Sequence, residues 1–309
     1  MNQTQRRTYS SSAKRVQRRM EVLFIPSVYK VLKAQIKFFT SRVRIGISPS
    51  AALNSMPVMD DKMAEIIESL HLKAGLFAAR DARKVITRET AKSAGAAKGL
   101  YSQLQPSLQL KRGGFGFNER MTREIQEYFR LHLLEKAVIP ITATTRVRIE
   151  TVLNKAAEEG WSVERILDEL EGEGFLDMTR RRARTIVRTE TVRASNFGTL
   201  AAADDSEFEQ VKIWVAVDDP RTRRTHRHIT GVDGEQRDLL NPFSNGLMFP
   251  GDPNGAASEC VNCRCTMAIR AKRDAQGRLV PKKKPGLIIS LASRLTDLYR
   301  RIAAMLSSL

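Results

Sequence analysis

Three cysteines and one histidine in the last third of the chain have the types and spacing of metal ligands. Cys260, Cys263 and Cys265 form a Cys-x-x-Cys-x-Cys pattern, and His226 lies upstream of them. Cysteine sulfur and histidine nitrogen are donors that zinc prefers in tetrahedral protein sites. A site made of all four side chains would be closed and structural, because no position would stay open for water. The alternative is that the cysteines are reduced thiols and the histidine bonds to an aspartate or to the backbone.

The number of cysteines indicates the compartment, and the length of the apolar runs bears on membrane contact. Three cysteines between positions 260 and 265 do not make the disulfide framework of a secreted domain, so they indicate a reducing compartment or a metal. No apolar run approaches the roughly 18 to 20 residues that a membrane span needs. No membrane partner is therefore expected.

A carboxylate at Glu190 falls on an apolar stripe with helical spacing. The stripe comprises Ala183, Ile186, Val187, Ala194 and Phe197. A buried carboxylate costs several kcal/mol unless it is paired and hydrogen-bonded, so a basic partner is expected. The arginine-rich turn with Asp219, Arg221 and Arg223 is the expected supplier. A catalytic acid is the alternative to a structural ion pair.

The elements that must position these residues are mainly helices. Helical patterns cover residues 60–101, about 145–160, a short segment opened by Ser162 and closed by Gly172 and Gly174, and about 179–200. Alternating apolar residues predict strands at 211–217 and 265–270, and residues 105–117 read as a loop. The predicted class is α+β, with a mainly helical N-terminal and central region followed by a small α+β unit.

Four regions are predicted from composition and charge. They are a basic N-terminal arm over 1–50, a helical region over 51–117, a core over 118–270 with helices to 200 and the small α+β unit at 205–270, and a basic linker with an amphipathic C-terminal helix over 271–309. Residues 287–309 carry an apolar seam of near-heptad spacing, and this helix is expected to dock on another protein or to pack on its own domain.

Most of the net charge of +18 lies in the two end regions. Residues 1–46 hold 11 Lys/Arg and one acid, giving +10, and residues 271–309 hold 9 Lys/Arg and two acids, giving +7, which leaves +1 for residues 47–270. Such basic arms suit a polyanion or an acidic protein surface, although arms that merely aid solubility are the alternative. The first 20 residues, rich in Ser, Arg and Gln, are expected to be flexible until bound.

A series of polar motifs in fixed order resembles the Mu-F-like phage head morphogenesis family. The order is Arg184-Thr-Ile-Val-Arg188-Thr-Glu190, Ala194, Asn196, Trp214, Asp219-x-Arg221-Thr-Arg223-x-x-His226, Gly231, Phe249-Pro-Gly-Asp252-Pro253 and Asn262-Cys-Arg-Cys265. The resemblance covers about residues 120–270, which is roughly half the chain. Several motifs in one order are far more specific than any single motif.

The resemblance implies a minor capsid protein, present in few copies near the portal vertex, rather than an enzyme. Its implied partners are the portal protein, other capsid proteins and double-stranded DNA without sequence preference, and its place is the phage head, after assembly in the host cytoplasm. The implied polar signature comprises Arg188, Glu190, Asn196, Asp219, Arg221, Arg223, His226, Asp252, Asn262, Cys263 and Cys265.

Two other function classes are weighed against the head protein. A nuclease or transferase would use Glu190, Asp219 and His226, but the sequence holds no phosphate loop, nucleophile elbow or paired acids at helical metal spacing. A DNA-binding regulator would need a recognition helix with a basic face inside the folded core. The +1 charge of residues 47–270 shows no such concentration.

Overall fold

The computed structural model describes residues 3–57, 60–96, 122, 125–129, 137, 139–230 and 234–282. Its helices are α1 Gln3–Arg44, α2 Pro49–Asn54, α3 Asp60–Ala96, α4 Ile139–Glu159, α5 Val163–Glu171, α6 Glu173–Asp204, α7 Arg224–Thr230 and α8 Ala257–Cys260. Strands β1 Gln210–Val215, β2 Gln236–Asp238 and β3 Thr266–Ala271 form one antiparallel sheet in the order β2-β1-β3. The predicted α+β class is confirmed.

The long helices α1, α3 and α6 pack against one another around the main core. The backbones of α3 and α6 approach so closely that a Cβ atom added at Gly198 would lie 2.1 Å from the carbonyl oxygen of Gly75. A second apolar cluster joins the C-terminal half of α1 to α2, α4 and α5. The main core and the sheet meet at α6, which therefore positions the motif residues.

The expected flexible arm is wrong for the part of residues 1–20 that the structure describes, because these residues belong to α1. Val16, Met20, Phe24 and Val28 are buried and recur every four residues. That spacing places them on one face of a helix, so the apolar stripe outweighs the polar composition that predicted flexibility. Near the start of α1, the Tyr9 hydroxyl donates to the Ile269 carbonyl of β3 at 2.7 Å.

The helices around α6 follow the predicted signals closely. Gly160, with φ of 66°, follows α4, and the Ser162 side chain accepts a hydrogen bond from the Arg165 backbone at 3.2 Å to cap α5. α6 begins at Glu173, six residues before the predicted helix start at residue 179, and Gly174 lies inside its first turn. Gly172 therefore follows α5 as predicted, whereas the prediction that Gly174 also closes this short helix is wrong.

The sheet lies between α6 and the N-terminal part of α1. Strand β1 is buried along its whole length, with Trp214 in the main core, while Ile213 and Val215 pack with Ala268 and Tyr9 on the other face. The predicted strands at 211–217 and 265–270 correspond to β1 and β3. Strand β2 was not predicted, because its three residues are polar and exposed and give no alternating apolar pattern.

Residues 271–282, predicted as part of a basic linker, pair with the domain. Arg273 pairs with Leu279 across a turn at Gly277, and Pro281 pairs with Phe208. The Lys282 ammonium also donates to Asp204 Oδ1 at 2.6 Å. The predicted C-terminal helix and the predicted loop at 105–117 lie outside the described residues. Among the helices that are described, none is long and apolar enough to cross a membrane.

Candidate functional site

Three of the four predicted metal ligands come together in a buried group. His226 Nδ1 lies 3.7 Å from Cys263 Sγ and 3.4 Å from Cys265 Sγ, and the three ligand atoms all lie within 4.8 Å of one another. The histidine comes from α7, and the two cysteines lie just before β3. These donors suit a metal such as zinc.

Cys260 is not part of this group, which corrects the predicted four-ligand site. Its sulfur donates a hydrogen bond to the Asp252 carbonyl at 3.1 Å, and burial raises its pKa to about 11. Cys260 is the last residue of α8, and its thiol contacts the loop with Asp252 that precedes this helix. The Cys-x-x-Cys spacing alone could not show that Cys260 lies outside the group, because the position of its thiol depends on the course of that loop.

A hydrogen bond links the two cysteines of the group and shifts their pKa values in opposite directions. A hydrogen bond from the Cys265 thiol lowers the pKa of Cys263 and outweighs the effect of burial, with a further contribution from His226. The same hydrogen bond, together with burial, raises the pKa of Cys265. The Cys265 backbone N–H also lies 3.4 Å from Cys263 Sγ. Metal binding by such thiols would release the remaining proton.

A carboxylate orients the histidine of the group. His226 Nε2 donates to Glu259 Oε2 at 2.8 Å, and the Thr225 hydroxyl donates to the same carboxylate at 3.1 Å. Because Nε2 donates to Glu259, Nδ1 is the ring nitrogen that faces the two sulfurs. A carboxylate behind a histidine in this way is the usual outer contact of a metal-bound imidazole.

Glu190 is buried on α6, as predicted, but its partners differ from those expected. Arg193 Nη1 donates to both carboxylate oxygens at 2.9 and 2.8 Å, and His71 Nε2 of α3 donates to Glu190 Oε2 at 2.7 Å. Arg221 and Arg223 of the predicted turn make other contacts. Arg193 stands three residues along the same helix, and its guanidinium reaches Glu190 directly.

The charges in this network are fixed by burial and pairing. Burial raises the pKa of Glu190, but the charge of Arg193 and the His71 hydrogen bond outweigh it, so this pKa is lowered. Burial lowers the pKa of His71 and outweighs the neighbouring Glu190. The network is therefore one ion pair with a neutral histidine. His71 Nδ1 has no hydrogen-bond partner within the described part of the chain.

Asn196 connects α6 to the metal-ligand segment. Its amide nitrogen donates to the carbonyls of Val192 and Pro250 at 2.9 and 3.0 Å, and its oxygen accepts the Met267 backbone N–H at 2.8 Å. A buried side chain with these contacts fixes the start of β3 relative to the helix. The predicted polar role of Asn196 is thus a structural cross-link.

Asp219 binds Arg264, which lies between the two cysteines of the group. The Arg264 guanidinium reaches both carboxylate oxygens, with 2.7 Å between Nη2 and Oδ1. The Arg264 hydrogen bonds and charge, and the Arg221 backbone N–H at 2.9 Å, lower the Asp219 pKa. Arg221 itself is largely exposed, with its guanidinium 3.6 Å from the Asp219 carboxylate.

The remaining signature residues hold the loops around the group. Arg188 bridges Glu21 of α1 at 3.1 Å and Asn262 at 3.1 Å, and the Arg223 guanidinium donates to the Val261 carbonyl at 2.6 Å. Asn262 has φ of 57°, a conformation that asparagine tolerates better than most residues.

Asp252 is buried and stabilises a turn before α8. Its two carboxylate oxygens accept the backbone N–H groups of Met248 and Asn254 at 2.9 and 3.0 Å. The same residue accepts the Cys260 thiol at its carbonyl. Asp252 therefore connects the signature motif around Phe249 with the cysteine segment.

Sequence reasoning missed four residues of the site, namely His71, Arg193, Glu259 and Arg264. Arg193 had a signal, since it stands three residues after Glu190 and can reach it on a helix. Arg264 lies inside the Cys-x-Cys motif, but nothing in the sequence pairs it with Asp219. His71 is 119 positions from Glu190, so only the packing of α3 on α6 brings the two together.

Comparison with known proteins places these residues in a defined domain. Residues 147–268 match the family model described as phage Mu protein F like protein. This range begins within α4 and ends in β3, and it contains every residue of the predicted signature. No solved structure matches the chain.

Two curated proteins are similar to parts of the chain. An uncharacterized protein of Bacillus subtilis, YqbB, is 31% identical over 126 residues, which are 39% of this chain and 40% of that protein. An NAD(+)–arginine ADP-ribosyltransferase of Enterococcus faecalis, EFV, is 34% identical over 91 residues, which are 28% of this chain and 18% of that protein. The chain thus spans less than half the length of either relative.

The motif order, the contacts that join its members and the family match all concern the same stretch of chain. The structure gathers the signature residues around α6, α7 and the start of β3. Residues 147–268 form a domain of the phage Mu protein F-like family.

Proposed function

We propose that this protein is a minor head protein of a tailed bacteriophage that acts in head morphogenesis at the portal vertex. The observation that carries the proposal is the Mu F-like domain at residues 147–268, whose signature residues gather around α6, α7 and the start of β3. Its partners are then the portal protein and other capsid proteins, and its place is the virion. The protein assembles in the host cytoplasm before it enters the head.

A gene-deletion experiment in the source phage tests this function. Lysates of the deletion phage should contain fewer DNA-filled heads by electron microscopy, and supply of the protein from a plasmid should restore them. A normal yield of filled, infectious particles without the protein would contradict a role in head morphogenesis.

The exposed face of α1 supports contact with packaged DNA. This face carries basic side chains along the helix, at Arg7, Lys14, Arg15, Arg18, Lys30, Lys33, Lys37 and Arg44. The single acid of α1, Glu21, is half-buried and paired with Arg188. At about 1.5 Å per residue, the helix presents these charges over roughly 60 Å. The proposed contact is therefore made by a folded helix and phosphates, without sequence readout.

Charge-matched triple variants test the DNA contact. Lys30→Gln/Lys33→Gln/Lys37→Gln removes three charges from one face of α1, and Arg165→Gln/Arg224→Gln/Arg227→Gln removes three exposed charges from the Mu F-like domain. The slope of log affinity against log salt should fall by about 0.9 for each lost phosphate contact in the α1 variant alone. Equal losses in both variants would show that net charge, not α1, governs binding.

We propose that the Mu F-like domain is not itself an enzyme. In the nuclease or transferase alternative, Glu190, Asp219 and His226 would need to be available for proton transfer. Each of them is already paired. Glu190 binds Arg193 and His71, and Asp219 binds Arg264. His226 binds Glu259 and faces the two cysteines. Incubation with duplex DNA and magnesium, or with NAD and an arginine-rich protein, should leave the substrate masses unchanged. A new product in either reaction would favour the enzyme.

We also propose that the group of His226, Cys263 and Cys265 holds a structural zinc ion. The donors are soft, buried and drawn from two segments, so a bound ion would tie α7 to the start of β3. Cys263→Ser, or a strong chelator, should then unfold residues 205–270. Unchanged melting of a metal-free protein would contradict the structural role.

A further inference from the structure

We infer that, within the described ranges of the chain, three side chains bind the zinc, through His226 Nδ1, Cys263 Sγ and Cys265 Sγ, and that the fourth position holds an exchangeable ligand such as water. This inference rests on the proposed zinc and specifies its coordination. It differs from the closed four-ligand site that the cysteine spacing predicts. The difference matters because an open position lets a metal site bind small molecules, which a closed structural site does not.

The positions of the three ligand atoms suit one tetrahedral ion. Zinc–sulfur bonds of about 2.3 Å and zinc–nitrogen bonds of about 2.0 to 2.1 Å place sulfur and nitrogen roughly 3.6 Å apart at a tetrahedral angle. His226 Nδ1 lies 3.4 Å from Cys265 Sγ and 3.7 Å from Cys263 Sγ. Both nitrogen–sulfur distances are therefore close to those around one shared tetrahedral ion, and the two sulfurs lie within 4.8 Å of each other.

The environment of Cys260 keeps its sulfur out of the site. The thiol already donates to the Asp252 carbonyl at 3.1 Å, in a turn that Asp252 holds through Met248 and Asn254. Gly255 passes so close that a Cβ atom there would lie 2.8 Å from Cys260 Sγ. Turning Cys260 toward the ion would break the thiol hydrogen bond and leave a gap against this turn.

Glu259 orients the His226 ligand and does not itself act as the fourth ligand. Its carboxylate accepts hydrogen bonds from His226 Nε2 at 2.8 Å and from Thr225 Oγ1 at 3.1 Å. Movement of the carboxylate onto the ion would remove the contact that orients the imidazole. Among the His, Cys, Asp and Glu side chains of the described ranges, no fourth member joins the group. A zinc ion with three protein ligands completes its shell with water or another small ligand.

Cobalt substitution in the full chain tests the inference. The intensity of the thiolate-to-cobalt charge-transfer band counts the thiolates, and the visible d–d bands respond to an exchangeable ligand. We expect the intensity of two thiolates in the wild-type protein, a shift of the d–d bands on addition of azide, and no loss of band intensity in Cys260→Ser. Cys263→Ser and Cys265→Ser should each lose about half the intensity or more.

The possible failures are distinguishable. A three-thiolate band that falls by one third in Cys260→Ser, with no response to azide, would establish a closed site and overturn the inference while keeping the zinc. No stoichiometric binding of zinc or cobalt would overturn the proposed metal itself. The azide titration uses wild-type protein, so it decides the point even if a cysteine variant fails to fold. Glu259→Gln should weaken zinc affinity about 10- to 100-fold with an unchanged band intensity.

Discussion

At the scale of single residues, the Glu190 network is where charge and stability are most closely linked. Glu190 and Arg193 form a buried ion pair, and His71 adds a neutral hydrogen bond from another helix. A buried pair of this kind gives little net stabilisation compared with apolar residues, but loss of one partner leaves the other charge unpaired. The network therefore joins α3 to α6 and makes each of its members costly to replace.

Replacement of Glu190 tests this argument. Glu190→Gln should lower the free energy of unfolding by about 3 to 5 kcal/mol at neutral pH, because Arg193 stays buried without its counter-charge. The pKa of Glu190 is lowered in the folded state, so the stabilisation is present above its unfolded pKa and is lost as the pH falls through the folded pKa. Urea unfolding measures both effects.

A matched control for Glu190 is an exposed glutamate on a neighbouring helix. Glu158→Gln on α4 should change the free energy of unfolding by no more than about 0.5 kcal/mol. If Glu190→Gln were as mild as this control, the buried ion pair would have no structural role.

Lys212 gives a prediction for alkaline pH. Its ammonium donates to the Met248 carbonyl at 2.7 Å, and burial lowers its pKa from 10.5 to about 8. Between about pH 8 and 10 the unfolded chain binds more protons than the folded one, so the contribution of Lys212 to stability should rise with pH. The total rise is on the order of 1 to 3 kcal/mol, since one pKa unit corresponds to about 1.4 kcal/mol.

The Lys212 prediction is measured as a difference between proteins. The free energy of unfolding of wild type minus that of Lys212→Met should increase from pH 7 to pH 10. The same difference for Lys33→Met, on the exposed face of α1, should stay constant. A flat difference for Lys212 would mean that its burial does not favour the neutral amine.

At the scale of elements, the crossing of α3 and α6 determines where the network forms. Gly198 lies against the backbone of Gly75, and this contact brings His71 within reach of Glu190. A methyl group at Gly198 would have to push two helix backbones apart, since no flexible side chain lies there to yield. Close approach of two backbones is a position that glycine alone fills without strain.

Two glycines of α6 provide a matched test of the crossing. Gly198→Ala should lower the free energy of unfolding by about 1 to 3 kcal/mol or more through overpacking. Gly174→Ala, with nothing within 4 Å of the added atom, should be neutral or stabilise by up to about 1 kcal/mol. Thermal or urea unfolding of both variants measures the effect. Equal effects at the two sites would contradict the close crossing.

Local sequence patterns predict the elements well where they depend on neighbours in the chain. Caps at Ser162 and Gly160, the β1 alternation and the buried position of Glu190 all follow from local spacing. The partners of Glu190 and the exclusion of Cys260 depend on how distant segments pack, and no local pattern contains that information. The Ser- and Arg-rich composition of residues 1–20 was misleading, because the buried side chains of Val16 and Met20 continue the apolar stripe of α1 although its other faces are polar.

At the scale of the whole molecule, the N-terminal basic segment is part of the folded body. Helix α1 contributes to both large apolar clusters and contacts β3 through Tyr9. Its exposed face still carries the positive charge that the sequence concentrates there. One helix thus combines buried packing with an exposed basic face, and its first 20 residues had been expected to be flexible.

Truncation separates packing from charge. Removal of residues 1–20 should lower the free energy of unfolding by about 3 to 6 kcal/mol, because Val16 and Met20 each contribute roughly 1.5 to 3 kcal/mol when buried. The control Lys14→Gln/Arg18→Gln removes charge from the exposed face and should leave stability nearly unchanged. Equal free energies of unfolding for the truncated and full chains would instead support a flexible N-terminal segment.

The most direct test of the central proposal is quantitative mass spectrometry of purified virions and empty procapsids of the source phage. A minor head protein assembled before DNA entry should appear in both particles at the same low, fixed ratio to the portal protein. Its absence from both particles would contradict a structural role in the head and would favour the enzyme or regulator alternatives.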